Sequence, residues 1–183
     1  MDRPHASPER NTSAATGPAR GLAALFGMTD TVWERHANPW SGWSRVPILP
    51  LMTAAIWWRD ALDGLFWPAI AALVVWTWIN PRVFPPPTTT ANWMSKAVMG
   101  ERVWLNRKRV PVPRHYHRAL PIIMGFSLAG LPLIGLGLLF EDAWPLLLGL
   151  VLSLLGKFWF LDRMVWLYDD MSRTHPIYAS WMR

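Results

Sequence analysis

Long apolar runs, separated by short blocks of charge, dominate the chain. Leu120–Phe140 is an uncharged run of 21 residues. A helix of that length, rising 1.5 Å per residue, matches the ~30 Å hydrocarbon layer of a bilayer. Glu141 and Asp142 interrupt it, and Trp144–Leu161 follows as a second run of 18 residues with Pro145 at a helix-start position. Gly125, Gly130, Gly135 and Gly137 would weaken a helix in water, but in lipid small residues let helices approach closely. Pro132 predicts a kink. Nearer the N-terminus, Val46–Trp58 and Leu65–Ile79 are shorter apolar runs of 13 and 15 residues. Extended to 44–59 and 64–80, each reaches the lower limit for a crossing helix. Trp57, Trp58 and Trp67 at one end and Trp43, Trp76 and Trp78 at the other fit interfacial belts.

This pattern predicts an all-α integral membrane protein with four spans, about 44–59, 64–80, 120–140 and 144–161, arranged as two antiparallel hairpins. Between the hairpins, Asn80-Pro81 should stop the second helix, and Phe84-Pro85-Pro86-Pro87 should run extended. Thr90 is the expected N-cap of a helix over 91–105, where Trp93, Met94, Ala97, Val98, Trp104 and Leu105 recur at helical spacing. That pattern reads as an amphipathic helix lying in the membrane interface. A further helix is expected over Thr31–His36, and Asp162–Met171 should prolong the fourth span into water, because no breaker precedes Pro176. Residues 1–20 carry Pro, Ser, Thr and charge without an apolar centre, which reads as a disordered tail and not a secretory signal. Gly21–Met28 reads as a short interfacial stretch, so a single helical membrane domain is expected over 21–183.

Charge orients the hairpins. Between Pro81 and Ala119 there are eight Lys and Arg residues against the single acid Glu101, whereas the turns 59–64 and 141–143 carry one Arg and four acids. The positive-inside rule then puts both termini in the cytoplasm and the membrane is read as the inner membrane. The net charge of +6 adjoins the apolar spans instead of forming a separate basic module, which argues against nucleic-acid binding and for anionic lipid headgroups. With 14 Trp, 52% hydrophobic residues and no cysteine, disulfides, thiolate metal sites and cysteine nucleophiles are excluded.

Two segments are unusually specific: Arg35-His36-Ala37-Asn38-Pro39-Trp40-Ser41-Gly42-Trp43-Ser44-Arg45, and Asn92-Trp93 through Asn106-Arg107, followed by Val110-Pro111-Val112-Pro113-Arg114-His115. Together with Asn80–Pro87 they resemble an uncharacterised family of small prokaryotic membrane proteins, a domain of unknown function, over roughly 32–118. The resemblance implies a small multi-pass membrane protein and carries no reaction, ligand or partner onto any residue.

The side chains themselves allow a site at the basic face. Arg35, His36, Asn38 and Arg45, with Arg102, His115 and His117 from the central segment, could cradle an anionic headgroup or a phosphorylated molecule, because guanidinium forks suit phosphate. The plainer reading is anchoring: Asn38-Pro39 makes a turn, Trp40 and Trp43 sit at headgroup depth and Arg45 snorkels. A metal site is not expected, since His115 and His117, two residues apart, point to different helix faces. No cofactor is expected either. Ser41, Ser44, Ser95 and Ser127 have no recognisable base partner in the sequence, no phosphate-binding glycine loop is present, and no ionisable path crosses the third and fourth spans. The expectation is therefore a non-enzymatic accessory or scaffold subunit, with a membrane-protein partner or a homo-oligomer. The alternative is a membrane enzyme or binding protein acting on a lipid-like or phosphorylated ligand at the cytosolic face.

Overall fold

The computed structural model describes residues 28–183, and among these all regular structure is helical. The expected tail, 1–20, and all but Met28 of the stretch 21–28 lie outside them. Helix α1 (Asp30–His36) is capped by the Thr29 hydroxyl, and α2 (Pro39–Trp43) by the Asn38 side chain with Pro39 at its first position. Then come α3 (Ile48–Trp57), a short α4 (Arg59–Leu62) with a 3-10 turn (Asp63–Leu65), and α5 (Phe66–Val83). After the proline segment follow α6 (Trp93–Leu105), α7 (Arg114–Leu128), α8 (Gly130–Phe140), α9 (Ala143–Thr174) and α10 (Pro176–Ala179).

Three continuous helical stretches are long and apolar enough to cross a membrane: Arg59–Val83, Arg114–Phe140 and Ala143–Thr174. The first expected span, 44–59, is different. Its helical part, α3, has 10 residues, a length of about 15 Å, or half a hydrocarbon layer. The helical run is interrupted at Ala129, between α7 and α8, where Pro132 cannot donate a hydrogen bond to the Leu128 carbonyl. Two other expectations are corrected. Asn80-Pro81 does not stop the second helix, which runs on to Val83 with Pro81 inside it. Thr90 is not the cap of the central helix; Asn92 is, through Oδ1 accepting from the Ser95 N–H at 2.9 Å. Thr90 is instead buried and holds the C-terminal residue, its N–H donating to the Arg183 carbonyl at 3.0 Å and its Oγ1 accepting from the Arg183 N–H at 2.9 Å.

Helix α9, 32 residues and therefore about 48 Å long, organises the molecule. Its N-terminal half packs antiparallel on α8 through small residues. A Cβ at Gly130 would meet the Gly149 carbonyl oxygen at 2.3 Å, and one at Gly149 would meet the Gly130 carbonyl oxygen at 2.6 Å. Gly137 sits on Leu146, Gly156 sits on Ser127, and the Ser127 hydroxyl donates to the Ser153 carbonyl at 2.9 Å. Gly125 and Gly135 face open space.

The C-terminal part of α9 emerges from the apolar zone into a second layer, where it packs on α6. The expected interfacial helix thus turns much of its surface to its own chain, with Met94, Ala97, Val98, Met99 and Val103 buried. A Cβ on Gly100 would come within 1.9 Å of the Met164 carbonyl oxygen, so the α6 and α9 backbones touch there. Met164, Leu167, Tyr168, Tyr116 and Tyr178 complete this core.

Charge seals the same layer. Lys96 pairs with Asp169 at 2.9 Å, Arg183 pairs with Glu34 at 3.1 Å, and Arg102 pairs with Asp30 while stacking on Trp181. Two cations of the basic central segment, Lys96 and Arg102, therefore meet acids from elsewhere in the chain. At the opposite end of the spans, Arg59 meets Glu141 at 3.0 Å.

Candidate functional site

The segment between α1 and α3 folds back on itself because two helices are capped in quick succession, by Thr29 and Asn38, and this brings His36, Ser41, Ser44 and Arg45 against Asn80 of α5. His36, Ser41 and Asn80 are buried. Their hydrogen bonds run in one direction. Arg45 Nη2 lies 2.9 Å from His36 Nε2, and a guanidinium can only donate, so Nε2 accepts and the imidazole proton sits on Nδ1. His36 Nδ1 donates to Ser41 Oγ at 2.9 Å, Ser41 Oγ donates to Asn80 Oδ1 at 2.7 Å, and Asn80 Nδ2 donates to Ser44 Oγ at 2.8 Å. Arg45 Nε also donates to the Ser41 carbonyl at 3.2 Å. Burial, and then the Arg45 charge, pull the His36 pKa from 6.5 to about 3. The ring is therefore neutral at physiological pH, as its acceptor role requires.

The chain of bonds fixes one edge of the Arg45 guanidinium and leaves the remaining N–H groups for another partner. Beyond it Glu101 lies 3.2 Å from Lys157. Burial raises the Glu101 pKa, but Lys157 and then Arg45 outweigh that effect and hold the carboxyl below its usual value. Glu101 is an anion between two cations.

Arg45 and Lys157 also line a cavity of about 410 Å³. The rest of its wall is largely apolar, with Leu49 and Met52 of α3, Leu128 and Leu131 on the α7–α8 side, and Leu154 and Phe158 of α9. Along α9 the lining runs from Leu161 to Ser153, about 12 Å from the charged end into the apolar zone. The hydroxyls of Thr77 and Ser127 on this wall bond to the Leu73 and Ser153 carbonyls. The Ser153 hydroxyl, on a residue 4% exposed, has no partner. An apolar pocket of this size with a few convergent polar groups has the form of a small-molecule site.

The sequence-expected site residues divide. His36 and Arg45 are together at the head of the cavity. Asn38 is close in the chain but structural: its Nδ2 donates to the Pro85 carbonyl at 3.0 Å and pins the proline segment. Arg35 donates to the Arg82 carbonyl at 3.0 Å, joining α1 to the end of α5. Arg102 belongs to a separate polar notch with Asp30, Glu34, Thr90 and Arg183, where acids of the chain answer it. His115 and His117 are exposed, beside Tyr116 and Trp104 respectively, and neither shares a contact with His36. Among the described residues no three of His, Asp and Glu come together as a metal site would require.

Ser41, Asn80, Glu101 and Lys157 were missed as members. One signal was available, since Glu101 is the lone acid among eight basic residues. Asn80 reads in the sequence as part of a helix stop, and no spacing along the chain relates Ser41 or Lys157 to it.

A family model described as a family of unknown function (DUF6653) matches residues 19–182, and the chain belongs to that family. No curated protein and no solved structure matches the chain.

Proposed function

We propose that this protein is a multi-pass membrane protein that binds an amphiphile with an anionic head and an apolar tail, the head at Arg45 and Lys157. One observation carries the reading: the 410 Å³ cavity has two cations at one end and leucines and methionines beyond them. A water-soluble metabolite would leave that apolar wall unmatched, and a neutral lipid would leave the net positive charge of Arg45, Lys157 and Glu101 unbalanced. Nothing supports a reaction at this site: the His36 ring is fully engaged by Arg45 and Ser41, and no activated nucleophile faces the cavity.

In this reading 44–59 also crosses the bilayer, the flanking residues 44–47 and 58–59 extending the 10-residue α3. The Arg59–Glu141 pair puts the end of α3 beside the α8–α9 turn, which supports two hairpins with their turns on one side. The positive-inside rule then puts the polar layer and both termini in the cytoplasm, in an inner membrane.

The test is equilibrium binding of radiolabelled palmitate to the protein in uncharged-detergent micelles, with empty micelles as blank and hexadecanol as the neutral counterpart. Saturable binding of palmitate but not hexadecanol, lost in Arg45→Ala, is expected. Equal uptake of both, or retention in Arg45→Ala, overturns the reading.

A second reading, an accessory subunit, is favoured by α5. None of the most apolar 18 residues of Arg59–Val83 is buried, and Trp67 and Trp78 are 73% and 53% exposed. Crosslinking from position 67 in membranes should capture a defined protein if a partner covers that face, and only lipid otherwise.

A further inference from the structure

We infer that the cavity selects amphiphiles whose head carries a single negative charge, a carboxylate or a phosphodiester, over those with a doubly charged phosphomonoester. The inference rests on the amphiphile-binding reading and adds a charge rule to it.

The rule follows from the groups that face the head position. Arg45 and Lys157 line the cavity, and Glu101 touches Lys157 from behind without lining it. Two cations and one anion sum to one positive charge, because His36, the fourth titratable group, accepts a hydrogen bond from Arg45 and is neutral. A monoanion balances that sum. A dianion would leave an excess negative charge facing Glu101 in a region of low polarity, where like charges repel strongly.

Glu101 could escape the repulsion by taking a proton or turning away, and both routes are costly. Its partner Lys157 would lose an ion pair, and its side chain is only 22% exposed. Arg45 cannot move to meet a differently shaped head, because its Nε and Nη2 are tied to Ser41 and His36. Lys157, 55% exposed on a flexible stem, is the adjustable half of the pair. It can leave Glu101 partly and swing to the ligand.

The experiment compares three sixteen-carbon probes on the full chain in uncharged-detergent micelles at pH 8: palmitate, palmitoyl lysophosphatidylglycerol and palmitoyl lysophosphatidate. The first two are monoanions from different sources, a free acid and a phosphodiester lipid. The third is a dianion at that pH, since its second pKa is about 6. We expect one or both monoanions to bind at least about tenfold more tightly than lysophosphatidate. Glu101→Gln, which raises the site to two positive charges, should erase or reverse that ratio.

A wild-type measurement guards against a misfolded variant. At pH 5 lysophosphatidate becomes largely a monoanion and its affinity should approach that of lysophosphatidylglycerol, which keeps one charge throughout. If no probe binds, the amphiphile reading itself fails. If lysophosphatidate binds at pH 8 as well as the monoanions, or its affinity does not rise at pH 5, the cavity reading stands and the charge rule is overturned. Which monoanion binds better separates a free acid from a phosphodiester lipid as the occupant.

Discussion

The two halves of α9 solve the same packing problem in opposite ways. Over 143–160 the helix turns Leu147, Leu148, Val151 and Leu155 outward, each more than half exposed, and keeps Gly149, Ser153 and Gly156 for its neighbours. Over 161–174 the order reverses: Leu161, Met164, Leu167, Tyr168 and Met171 are buried and Arg173 is exposed. In the proposed membrane reading, the sequence changes character where the solvent does. In water, burying large apolar groups drives association, so they go inward. In lipid that drive is absent, and helices associate through close backbone approach, for which small residues serve best.

The largest test of this contrast is a pair of leucines on one helix. Leu167→Ala should cost about 2–5 kcal/mol of unfolding free energy, as truncations of fully buried side chains do, because Leu167 is 0% exposed. Leu148→Ala, at a position 57% exposed, should change it by no more than about 0.5 kcal/mol. Denaturant titration in micelles would read both, and comparable losses would break the contrast.

Glycine tests the membrane half in the reverse direction. Gly149→Val should cost about 1–3 kcal/mol or more by forcing α8 and α9 apart, since its Cβ would lie 2.6 Å from a carbonyl oxygen. Gly135→Val, with nothing within 4 Å, should be nearly neutral by the same titration.

The hydrogen-bonded junction between the two halves of the molecule should respond to pH. The folded-state pKa of His36 lies near 3 against 6.5 when unfolded. The unfolded chain therefore binds more protons between those values. Stability should be intact above about pH 6.5 and fall on acidification, by at most about 1.4 kcal/mol per pH unit. His36→Gln should flatten that slope in melts recorded from pH 7 to pH 4. Ser41→Ala, which strands His36 Nδ1–H and Asn80 Oδ1, should cost about 1–3 kcal/mol.

The smallest effect belongs to the surface pairs of the polar layer. Arg183 and Glu34 have side chains 48% and 43% exposed, and such pairs contribute about 0–1 kcal/mol, reduced by salt. Arg183→Ala should lower stability within that range, with the difference shrinking in 1 M NaCl. A loss above about 2 kcal/mol would show that the C-terminal strap on Thr90 depends on that ion pair.

Much of the helical content was legible because its causes are local. Run length sets which segments can cross a bilayer. The apolar repeat over 93–105 announced α6 within two residues of its observed start, whereas Asn38-Pro39, expected as a turn, and Pro176, expected only as a breaker, each start a helix. The errors were also local. Asn80-Pro81 looks like a stop, yet the helix runs through it to Val83, and the Asn80 side chain is bonded to Ser41 and Ser44. Thr90 looks like a cap, but Asn92 holds that role and Thr90 binds the C-terminal residue. The apolar face of α6 could not be assigned to lipid or to protein from its repeat alone, since both demand the same spacing.

By itself, the sequence determined an all-helical chain with spans able to enter a bilayer, a basic block between them and no thiol chemistry. Each of these follows from composition and from spacing within one element. Only the tertiary structure decided that His36 and Arg45 share a site with Asn80, Glu101 and Lys157 while Arg102, His115 and His117 do not. The physical reason is that the site is made by contacts between elements far apart in the chain. Arg45 reaches Ser41 and His36 along its own segment, but its relation to Glu101 and Lys157 depends on α6 lying across α9, with Gly100 against Met164. No spacing within a single element encodes that contact.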